Sequence, residues 1–418
     1  MFLYNFFVRA YHSLIYLFSF FNPKAKLFVE GRKNTFLDLA KKLEGNTAPL
    51  AWFHCASLGE FEQGRPVIEA FKKDFPHSKI LLTFFSPSGY EVRKNYEFAD
   101  VICYLPMDSA KNAAQFISII KPKIAFFVKY EFWYHYVNEL HKKNIPIISF
   151  SAIFRKEQVF FKPYGYLFRR LLQKFSHIFV QNEVSVDLLK SIGIAQVSLC
   201  GDTRFDRVWA IRESKKEISS VKLFKNNKTL MVVGSSWEQD IRVIAEALKD
   251  FSDPLRLIIA PHEISENNLQ FVENQIVNKK IVRFSVFDKN PKTNNDFDIL
   301  LIDNVGMLSS LYQYGEFAFV GGGFKQGLHN ILEPAVFGMP IFFGNKAYKK
   351  YDEANSLISR QVAFPINDGA ELHTLLLQHL FGTERYKLAS TNCTDFVKKN
   401  LGASEKILAY CNFFSFSR

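Results

Sequence analysis

The sequence has few of the features that mark a disulfide-rich, metal-binding or multi-span membrane protein. Only five cysteines occur among 418 residues, at positions 55, 103, 200, 393 and 411. Their odd number and wide spacing argue against a disulfide framework and a zinc motif, and they indicate a reducing compartment. Beyond the first 21 residues, no apolar run is long enough to span a membrane.

Several nucleotide and catalytic signatures are also missing. No Walker motif occurs, and no G-x-G-x-x-G opens a helix in the required context, which argues against ATPases and dehydrogenases. His54 and Ser57 suggest a hydrolase, but no G-x-S-x-G elbow accompanies them. No nucleic-acid-binding motif is present and the basic residues are dispersed, so we expect no nucleic acid partner.

The chain has fewer acidic than basic residues. Lys and Arg number 53 against 41 Asp and Glu, which gives a formal net charge of +12. A positive protein favours an anionic partner, and without a nucleic-acid motif this indicates a phosphorylated substrate or a membrane surface. Hydrophobic residues make up 48% of the chain, enough for the cores of two or more domains.

The first 21 residues, MFLYNFFVRAYHSLIYLFSFF, are aromatic and mostly apolar. Arg9 and His12 interrupt them, no small-residue cleavage site follows, and basic residues come next, at positions 24, 26, 32 and 33. This pattern predicts a membrane anchor, spanning or interfacial, with the rest of the chain on the cytoplasmic side. An aromatic core helix is the alternative.

From residue 50 onward, apolar runs alternate with helical stretches such as 67–73 and 110–120. The runs predict strands at 50–55, 79–85, 100–105, 123–128, 145–151, 177–181 and 197–200, and then at 229–233, 255–260, 298–302, 317–320 and 340–343. Repeated βα units predict two doubly wound, mostly parallel sheets. Residues 212–227 are polar and read as the linker between two similar domains.

Residues 317–334 predict a strand, a glycine loop and a helix. Gly321–Gly323 would let a ligand approach the backbone, and the helix N-terminus, with Asn330 as N-cap, would offer N–H groups to an anion. Glu333 suits a sugar's hydroxyl groups, as acidic residues do in other nucleotide sites. The alternative is that Asn330 and Glu333 form a capping-box-like pair.

In parallel α/β sheets ligands bind beyond the carboxyl ends of strands, so two such domains facing each other predict an active site in the cleft between them. Glu60 follows the first strand, on a glycine-flanked loop, where a carboxylate could deprotonate an acceptor hydroxyl. A first-turn glutamate that stabilises the helix dipole is the alternative.

Other charged residues follow later strands. Lys129 could steady negative charge on a leaving phosphate, or form a surface salt pair with Glu131 beside Trp133. Arg204 could clamp a phosphate or carboxylate, or be paired with Asp202 or Asp206. In the second domain, the residues expected to ring a nucleotide are Ser235, Ser236, His262, Glu263, Val305, Gly306, Met307, Gly322, Gly323, Asn330, Ile331, Leu332 and Glu333.

Taken in order, these segments resemble the Kdo transferases, which move 3-deoxy-D-manno-octulosonic acid (Kdo) onto a lipid A precursor. The resemblance covers nearly the whole chain. The matching pieces are HCASLGE (54–60), the FW pair after PKIAFFV (122–128), QNE (181–183), GDTRFD (201–206), SSWE (235–238), DNVGML (303–308) and FVGGG…HNILEP (319–334).

The resemblance implies two Rossmann-like domains of the B-type glycosyltransferase architecture and CMP-Kdo as co-substrate, with no metal or other cofactor needed for transfer. The domains would be an anchor at 1–24, an acceptor domain at 25–211 and a CMP-Kdo-binding domain at 212–418, whose last helices could return to the first domain. The expected partners are CMP-Kdo, the lipid A precursor and the anionic inner-membrane surface, on its cytoplasmic face.

The resemblance also implies residue roles. Glu60 falls on the family's catalytic Glu in S-x-G-E and would be the general base. Arg204 falls where many members have Lys in G-x-[LT]-K-F-D, so the positive charge at that position is the same. Lys129 reverses the charge of the first Glu in E-T-E-L-W, whose second Glu is matched by Glu131. His262 and Glu263 depart from the usual R-H of P-R-H-P, which weakens the CMP contact there.

The mechanism implied is inverting transfer. Glu60 would take a proton from the acceptor hydroxyl, whose oxygen attacks the anomeric carbon as CMP leaves, with Arg204 and Lys129 balancing the phosphate charge. Two alternatives stay open: a transferase of the same architecture that uses a UDP-sugar, and a non-catalytic membrane-bound nucleotide binder.

Overall fold

The structure is a computed structural model that describes residues 2–214, 216–249, 251, 254–291, 296–381 and 383–412. The chain divides into two compact units. Unit 1 comprises residues 1–207 and 401–418, and unit 2 comprises residues 208–400. Each unit is built on one parallel sheet with helices between its strands, so the α/β class and the two sheets are as the sequence predicts.

In the described part of unit 1, seven parallel strands form one sheet of order β3-β2-β1-β4-β5-β6-β7. The strands are β1 Leu50–Cys55, β2 Lys79–Phe84, β3 Val101–Tyr104, β4 Ile124–Val128, β5 Ile147–Ala152, β6 His177–Val180 and β7 Val197–Leu199.

The sheet described for unit 2 also has seven parallel strands, in the order β10-β11-β9-β8-β12-β13-β14. Its strands are β8 Thr229–Ser236, β9 Leu255–Pro261, β10 Ile281–Arg283, β11 Ile299–Leu301, β12 Phe317–Val320, β13 Ile341–Gly344 and β14 Ala363–Ile366. The sequence did not predict β10 and β14, which lie at the two edges of the sheet.

The helices fill the connections. In the first half of the chain they are α1 Phe2–Phe18, α2 Pro23–Glu30, α3 Thr35–Lys42, α4 Leu58–Asp74, α5 Pro87–Arg93, α6 Ala110–Ile120, α7 Tyr134–Lys142, α8 Tyr166–Leu172, α9 Glu183–Ser191 and α10 Thr203–Ser214. In the second half they are α11 Ser219–Lys225, α12 Glu238–Leu248, α13 Glu266–Gln275, α14 Phe284–Phe287, α15 Leu308–Leu311, α16 Leu332–Ala335, α17 Asp352–Ser359, α18 Gly369–Phe381, α19 Thr383–Lys399 and α20 Ala403–Cys411.

The strands are near-continuous apolar runs because helices cover both faces of each sheet. In β1, Trp52 belongs to the core on one face and Phe53 to the core on the other. Successive side chains of a strand point to opposite faces, so both layers can be filled from one segment. Phe53 stacks on Phe126 of β4 with ring centroids 4.4 Å apart, which ties the two central strands together.

The predicted linker at 212–227 is not a linker. Residues 212–214 complete α10, and Ser219–Lys225 form α11, whose Val221 and Phe224 are buried. Polar residues of these helices, such as Glu213, Ser219 and Lys222, are exposed, Glu217 lies between the two helices, and residue 215 is outside the described residues. The boundary between the units falls earlier, after Arg207, and residues 401–412 belong to unit 1. Residues 413–418 lie outside the described residues.

The N-terminal helix α1 has no buried residue, so it is not a core helix. Its apolar side chains are largely exposed; Phe2, Phe7 and Phe18 are 81%, 66% and 61% exposed. Polar contacts attach it to unit 1, where the Tyr4 hydroxyl donates to Asp108 and Asn5 Oδ1 lies 2.7 Å from His135 Nε2. Among the described residues, no helix combines the length and the apolarity that crossing a bilayer requires.

Candidate functional site

The topology of unit 1 defines a switch point between β1 and β4. From β1 the chain runs outward through β2 and β3, and then returns to place β4 on the other side of β1. Ligands of doubly wound sheets bind beyond the carboxyl ends of the strands at such a point. The segments that follow β1 and β4 carry Glu60 on one side and Lys129 and Glu131 on the other.

Glu60 lies in the first turn of α4, which is the position given by the alternative, and the prediction that it lies on a loop is wrong. Ser57 is the N-cap, and its hydroxyl donates to the Glu60 carboxylate. The reason is the S-x-x-E spacing of residues 57–60, a helix-start pattern that the flanking glycine obscured. The Glu60 side chain is 21% exposed, so it is held by the helix and still reachable from solvent.

Lys129 meets Glu60 although the two come from different strand ends. Its Nζ lies 3.7 Å from Glu60 Oε1. The Lys129 backbone has φ +62°, the left-handed region, and it is fixed by a bond from its N–H to the Phe150 carbonyl at 2.8 Å. Strained backbone of this kind is concentrated at functional sites. The salt pair that Lys129 forms is therefore with Glu60, and not with Glu131 as in the alternative that the sequence left open.

Glu131 ends a buried polar network. The Trp133 indole N–H donates to Glu131 Oε2 at 2.8 Å, and His54 Nε2 lies 3.4 Å from the same oxygen. His54 is fully buried, and its Nδ1 lies 2.8 Å from Thr83 Oγ1. The network holds the Glu131 carboxylate at the switch point. The sequence shows His54 only beside Ser57, because its partners come from β2 and the segment after β4.

Arg204 is paired within its own segment. Its Nε and Nη2 lie 2.8 and 2.6 Å from Asp202 Oδ2, which is the alternative that the sequence left open. Asp206, the other proposed partner, accepts bonds from the Gly402 and Ser404 N–H groups. The neighbouring Thr203 donates to the Gln63 carbonyl of α4 at 2.6 Å, which holds the Arg204 segment against the helix that carries Glu60.

Unit 2 has its switch point between β8 and β12. These strands are adjacent and parallel, and the chain travels through β9, β10 and β11 before it forms β12. Ser235 and Ser236 end β8, and the three glycines at 321–323 follow β12. Two of the predicted nucleotide-binding segments therefore leave the sheet side by side.

The glycines of this loop are needed for close packing within the protein. A Cβ on Gly321 would lie 2.2 Å from the Ser235 carbonyl oxygen, and one on Gly323 would lie 2.4 Å from the Gly344 oxygen. The Gly321 and Gly322 N–H groups donate to the Gly234 carbonyl and to Asp240. These two N–H groups are therefore already used within the protein.

Asp240 is the carboxylate that the sequence analysis missed. It is 1% exposed, and its Oδ2 accepts from the N–H groups of Trp237 and Gly322 at 2.9 and 3.0 Å. Burial raises its pKa to about 6, against the lowering effect of those two bonds. The sequence pattern that could have indicated Asp240 is W-E-Q-D at 237–240, which is typical of a helix start.

Three rings stack beside the glycine loop. The centroids of Trp237 and His262 are 4.4 Å apart, and those of His262 and His329 are 4.6 Å apart. The Trp237 indole N–H donates to His329 Nε2 at 3.1 Å. Burial, with the nearby His262, lowers the pKa of His329 to about 4, so His329 acts as a neutral acceptor. His262 and Glu263 are exposed.

The turn after β11 presents the next predicted contacts. Asp303 Oδ1 accepts from the Ser285 N–H at 3.0 Å, which fixes the start of the turn. Gly306 has φ +91°, a conformation that favours glycine, and Val305 is 82% exposed. The turn leads directly through Met307 into α15.

Asn330 and Glu333 form the pair that the sequence analysis gave as an alternative. Asn330 Nδ2 donates to Glu333 Oε1 at 3.1 Å, and Asn330 Oδ1 accepts from the Leu332 N–H at 3.2 Å. The helix α16 is only four residues long, and its N-cap is Ile331, so the assignment of Asn330 as N-cap is one residue early. The charge of Glu333 adds to burial in raising the pKa of Tyr312.

Within the described ranges, no group of three or more His, Cys, Asp or Glu side chains could hold a metal ion. The arrangement instead offers a carboxylate–lysine pair at one switch point. At the other it offers a carboxamide–carboxylate pair, an exposed turn and aromatic rings. These groups suit proton transfer from a hydroxyl, and hydrogen bonding to a sugar or a nucleoside.

The fold and these two switch-point sites define a class of two-domain α/β proteins with Rossmann-like units. MnaA of S. aureus, solved with UDP, superposes with a TM-score of 0.58 at 13% identity, covering 88% of this chain and 96% of that one. At that identity the likeness establishes the fold alone, which is of the B-type glycosyltransferase kind.

Sequence comparison defines the family. A family model described as 3-deoxy-D-manno-octulosonic-acid transferase (kdotransferase) matches residues 31–207. The 3-deoxy-D-manno-octulosonic acid transferase of Aquifex aeolicus is 30% identical over 335 residues, 79% of this chain and 85% of that protein. The chain therefore belongs to the Kdo transferase family and is a glycosyltransferase.

A second relative is longer than this chain. The bifunctional glycosyltransferase/methyltransferase of Fusobacterium nucleatum is 27% identical over 364 residues. The match covers 84% of this chain and 55% of the relative, so the chain spans about half of that protein's length.

Proposed function

We propose that this protein transfers Kdo from CMP-Kdo to a hydroxyl group of a lipid A precursor, with inversion at the anomeric carbon. The observation that carries the proposal is the Glu60–Lys129 pair at the switch point of unit 1. A carboxylate held by a helix and reachable from solvent is what a general base for an acceptor hydroxyl requires.

In the proposed step Glu60 takes the hydroxyl proton of the acceptor. The freed oxygen attacks the anomeric carbon of Kdo from the side opposite the leaving group, and the bond between that carbon and the CMP phosphate oxygen breaks. CMP departs with the electron pair, which predicts inversion. Lys129 and Arg204 balance the phosphate charge, and Glu131 orients the acceptor.

Unit 2 would hold the donor. Asn330 and Glu333 present an amide and a carboxylate to ribose hydroxyls, and the backbone of 305–307 contacts the base. Ile331, Leu332, Gly322 and Gly323 shape the pocket floor, and Ser235, Ser236, His262 and Glu263 border it. In the proposed reaction unit 2 holds the donor, and unit 1 supplies the base for the acceptor hydroxyl.

The acceptor is a lipid, and α1 supports a location at the inner membrane with the catalytic units on the cytoplasmic face. Its aromatic side chains are exposed, while Tyr4 and Asn5 attach it to unit 1. The net charge of +12 suits an anionic surface. We propose that α1 keeps the enzyme at the bilayer that contains its acceptor.

One incubation of the protein with CMP-Kdo and lipid A precursor tests the proposal, with mass spectrometry of both the lipid and the released nucleotide. We expect lipid heavier by one or more Kdo residues, together with CMP. The Glu60→Gln variant should lose at least about a hundredfold in turnover, the size expected for a missing general base. Glu62→Gln is the control, two residues along α4 and paired with Arg93 at 2.8 Å.

Other outcomes contradict the proposal in distinguishable ways. Release of UDP from a UDP-sugar, with no reaction from CMP-Kdo, would indicate another transferase of this architecture. Binding of CMP with no lipid product would indicate a non-catalytic nucleotide binder. Near-normal transfer by Glu60→Gln would remove the base assignment and leave the reaction in place.

A further inference from the structure

A cavity of about 350 Å³ opens in unit 2 beside the carboxyl ends of β8 and β9. Ser236 and Pro261 line it from the strand ends, Arg242 from α12, Phe271 from α13 and Lys325 from the glycine loop. Its volume falls in the range of about 300–1,000 Å³ that small-molecule sites occupy. Its lining lacks Val305, Gly306, Met307, Asn330 and Glu333 but includes Ser236 and Glu263, so the cavity adjoins the proposed nucleotide pocket without sharing the proposed base and ribose contacts.

The cavity contains a buried polar atom that has no partner. Ser236 is 4% exposed, and its hydroxyl oxygen makes no hydrogen bond with any described residue. A buried hydroxyl left unpaired is destabilising, because it has lost its water without gaining another partner. A ligand hydroxyl or carboxylate in the cavity would satisfy it.

Two cations face the same space. The Arg242 guanidinium carbon lies 5.2 Å from the centroid of the Phe271 ring. Lys325 is exposed, and neither cation has a carboxylate partner in the part of the chain that the structure describes. A guanidinium held over a ring presents its N–H groups in a fixed plane, which suits a carboxylate.

The remaining polar lining restricts the ligand further. Glu238 and Glu263 add two carboxylates, and Gln239, Asn268 and Gln326 add carboxamides. Two carboxylates disfavour a compact dianion such as phosphate, but together with the amides they suit several hydroxyl groups. Trp237 contributes an apolar surface. A ligand with one carboxylate and many hydroxyls suits this lining, because its carboxylate can pair with the cations and its hydroxyls can bond to the carboxylates and carboxamides.

We propose that this cavity binds the sugar-acid part of the donor, with Arg242 and Lys325 on its carboxylate and Ser236 on the same group or a neighbouring hydroxyl. This inference rests on the proposed function, and it deepens it by naming the residues that would distinguish a sugar acid from a neutral sugar. The nucleoside is held elsewhere in unit 2, so the two parts of the donor can be tested separately.

The kinetic test compares Arg242→Gln and Lys325→Gln with the parent protein. Each loses a charge-assisted contact to the carboxylate, so the KM for CMP-Kdo should rise about tenfold, while the inhibition constant of CMP stays within about twofold. Arg360→Gln is the matched control, because Arg360 is also exposed and lies 4.9 Å from the centroid of a ring, that of Phe396. An unchanged KM in both cavity variants would overturn the inference while leaving the transfer reaction intact.

A binding test covers the case in which the parent protein does not turn over CMP-Kdo. Saturation-transfer NMR with free Kdo should give a signal for the parent and the Arg360→Gln protein, and a much weaker one for Arg242→Gln. Mannose, which has no carboxylate, should give little signal with any of them. Absence of a Kdo signal from the parent, or an equal signal from Arg242→Gln, would contradict the inference.

Ser236→Ala separates ligand binding from folding. Removing a buried unpaired hydroxyl should leave the thermal midpoint unchanged or slightly higher, since no hydrogen bond inside the protein is lost. The KM for CMP-Kdo should nevertheless rise. A lower midpoint together with an unchanged KM would mean that the hydroxyl has a structural role only.

Discussion

At the scale of single residues, Glu60 is paired with Lys129. The resemblance places Lys129 where many family members have a glutamate, and two carboxylates about 3–4 Å apart would repel each other. Here the lysine Nζ lies 3.7 Å from Glu60 Oε1, which makes the pair attractive. Glu131, held by Trp133 and His54, is then the second carboxylate at this switch point.

The buried carboxyl of Asp240 should make the stability of unit 2 depend on pH. Its pKa rises from 3.8 to about 6 on folding, so the folded state binds the proton more tightly than the unfolded state. The contribution of protonated Asp240 to the free energy of unfolding is complete below pH 3.8 and is lost as the pH rises through about 6. By linkage this loss is about 3 kcal/mol. Asp240→Asn cannot ionise and should not show this loss.

Thermal midpoints of the two proteins at about pH 4 and about pH 7 check this prediction. Asparagine keeps an oxygen for the N–H groups of Trp237 and Gly322, and its new N–H groups add a penalty that does not vary with pH. The thermal midpoint of Asp240→Asn minus that of the parent should therefore be larger at about pH 7 than at about pH 4. A constant difference would mean that Asp240 titrates normally.

Residues whose signal is local can be recognised in the sequence, and residues whose partners are distant along the chain cannot. Glu60 is recognisable because S-x-G-E is a contiguous pattern. Asp240 is not, because its bond to Gly322 joins positions 82 residues apart and its environment depends on the packed sheet. The Glu60–Lys129 contact likewise depends on the neighbouring positions of β1 and β4, which no spacing along the chain reveals.

At the scale of elements, Asp206 links the end of the chain to unit 1. Its two carboxylate oxygens accept from the Gly402 and Ser404 N–H groups, each at 2.7 Å, at the start of α20. Ile407, Leu408 and Cys411 of α20 are buried in the core on one face of the unit 1 sheet. The carboxylate therefore caps a helix whose apolar side completes that core.

Asp206→Ala should loosen α20. The loss of a cap that makes two hydrogen bonds costs about 2 kcal/mol, which corresponds to about a thirtyfold larger open population of the helix. Hydrogen exchange of the peptide 401–412, read by mass spectrometry, measures this directly. Asp187→Ala, an exposed position of α9, is the control. Equal exchange of α20 in both variants would show that Asp206 does not cap it.

The elements that the sequence did not predict are the edge strands β10 and β14. Ile281–Arg283 is only three residues long and includes a charge, and Ala363–Ile366 contains Pro365. Proline is tolerated at a sheet edge because one side of the strand needs no hydrogen-bond donor. Central strands such as β1 and β4 are continuous apolar runs with both faces buried, which is why their bounds were found within one residue.

At the scale of the whole molecule, the positive charge and the exposed aromatic helix predict binding to anionic bilayers. Replacing Phe6 and Phe7 of α1, 56% and 66% exposed, with glutamate removes apolar surface and adds negative charge without disturbing a core. Vesicle flotation with phosphatidylglycerol should then recover at least about tenfold less protein than for the parent, because both the apolar and the electrostatic attractions fall.

The control and the lipid series decide which attraction dominates. Leu388→Glu combined with Val277→Glu, at side chains that are 55% and 76% exposed in unit 2, adds the same two charges away from α1 and should float like the parent. Neutral phosphatidylcholine vesicles, or about 0.5 M salt, should weaken the parent's binding if the net charge of +12 contributes, since salt screens charge but leaves apolar insertion in place. If the Phe6/Phe7 variant floats as well as the parent on every lipid, α1 is not the membrane contact, and the aromatic surface must serve another partner.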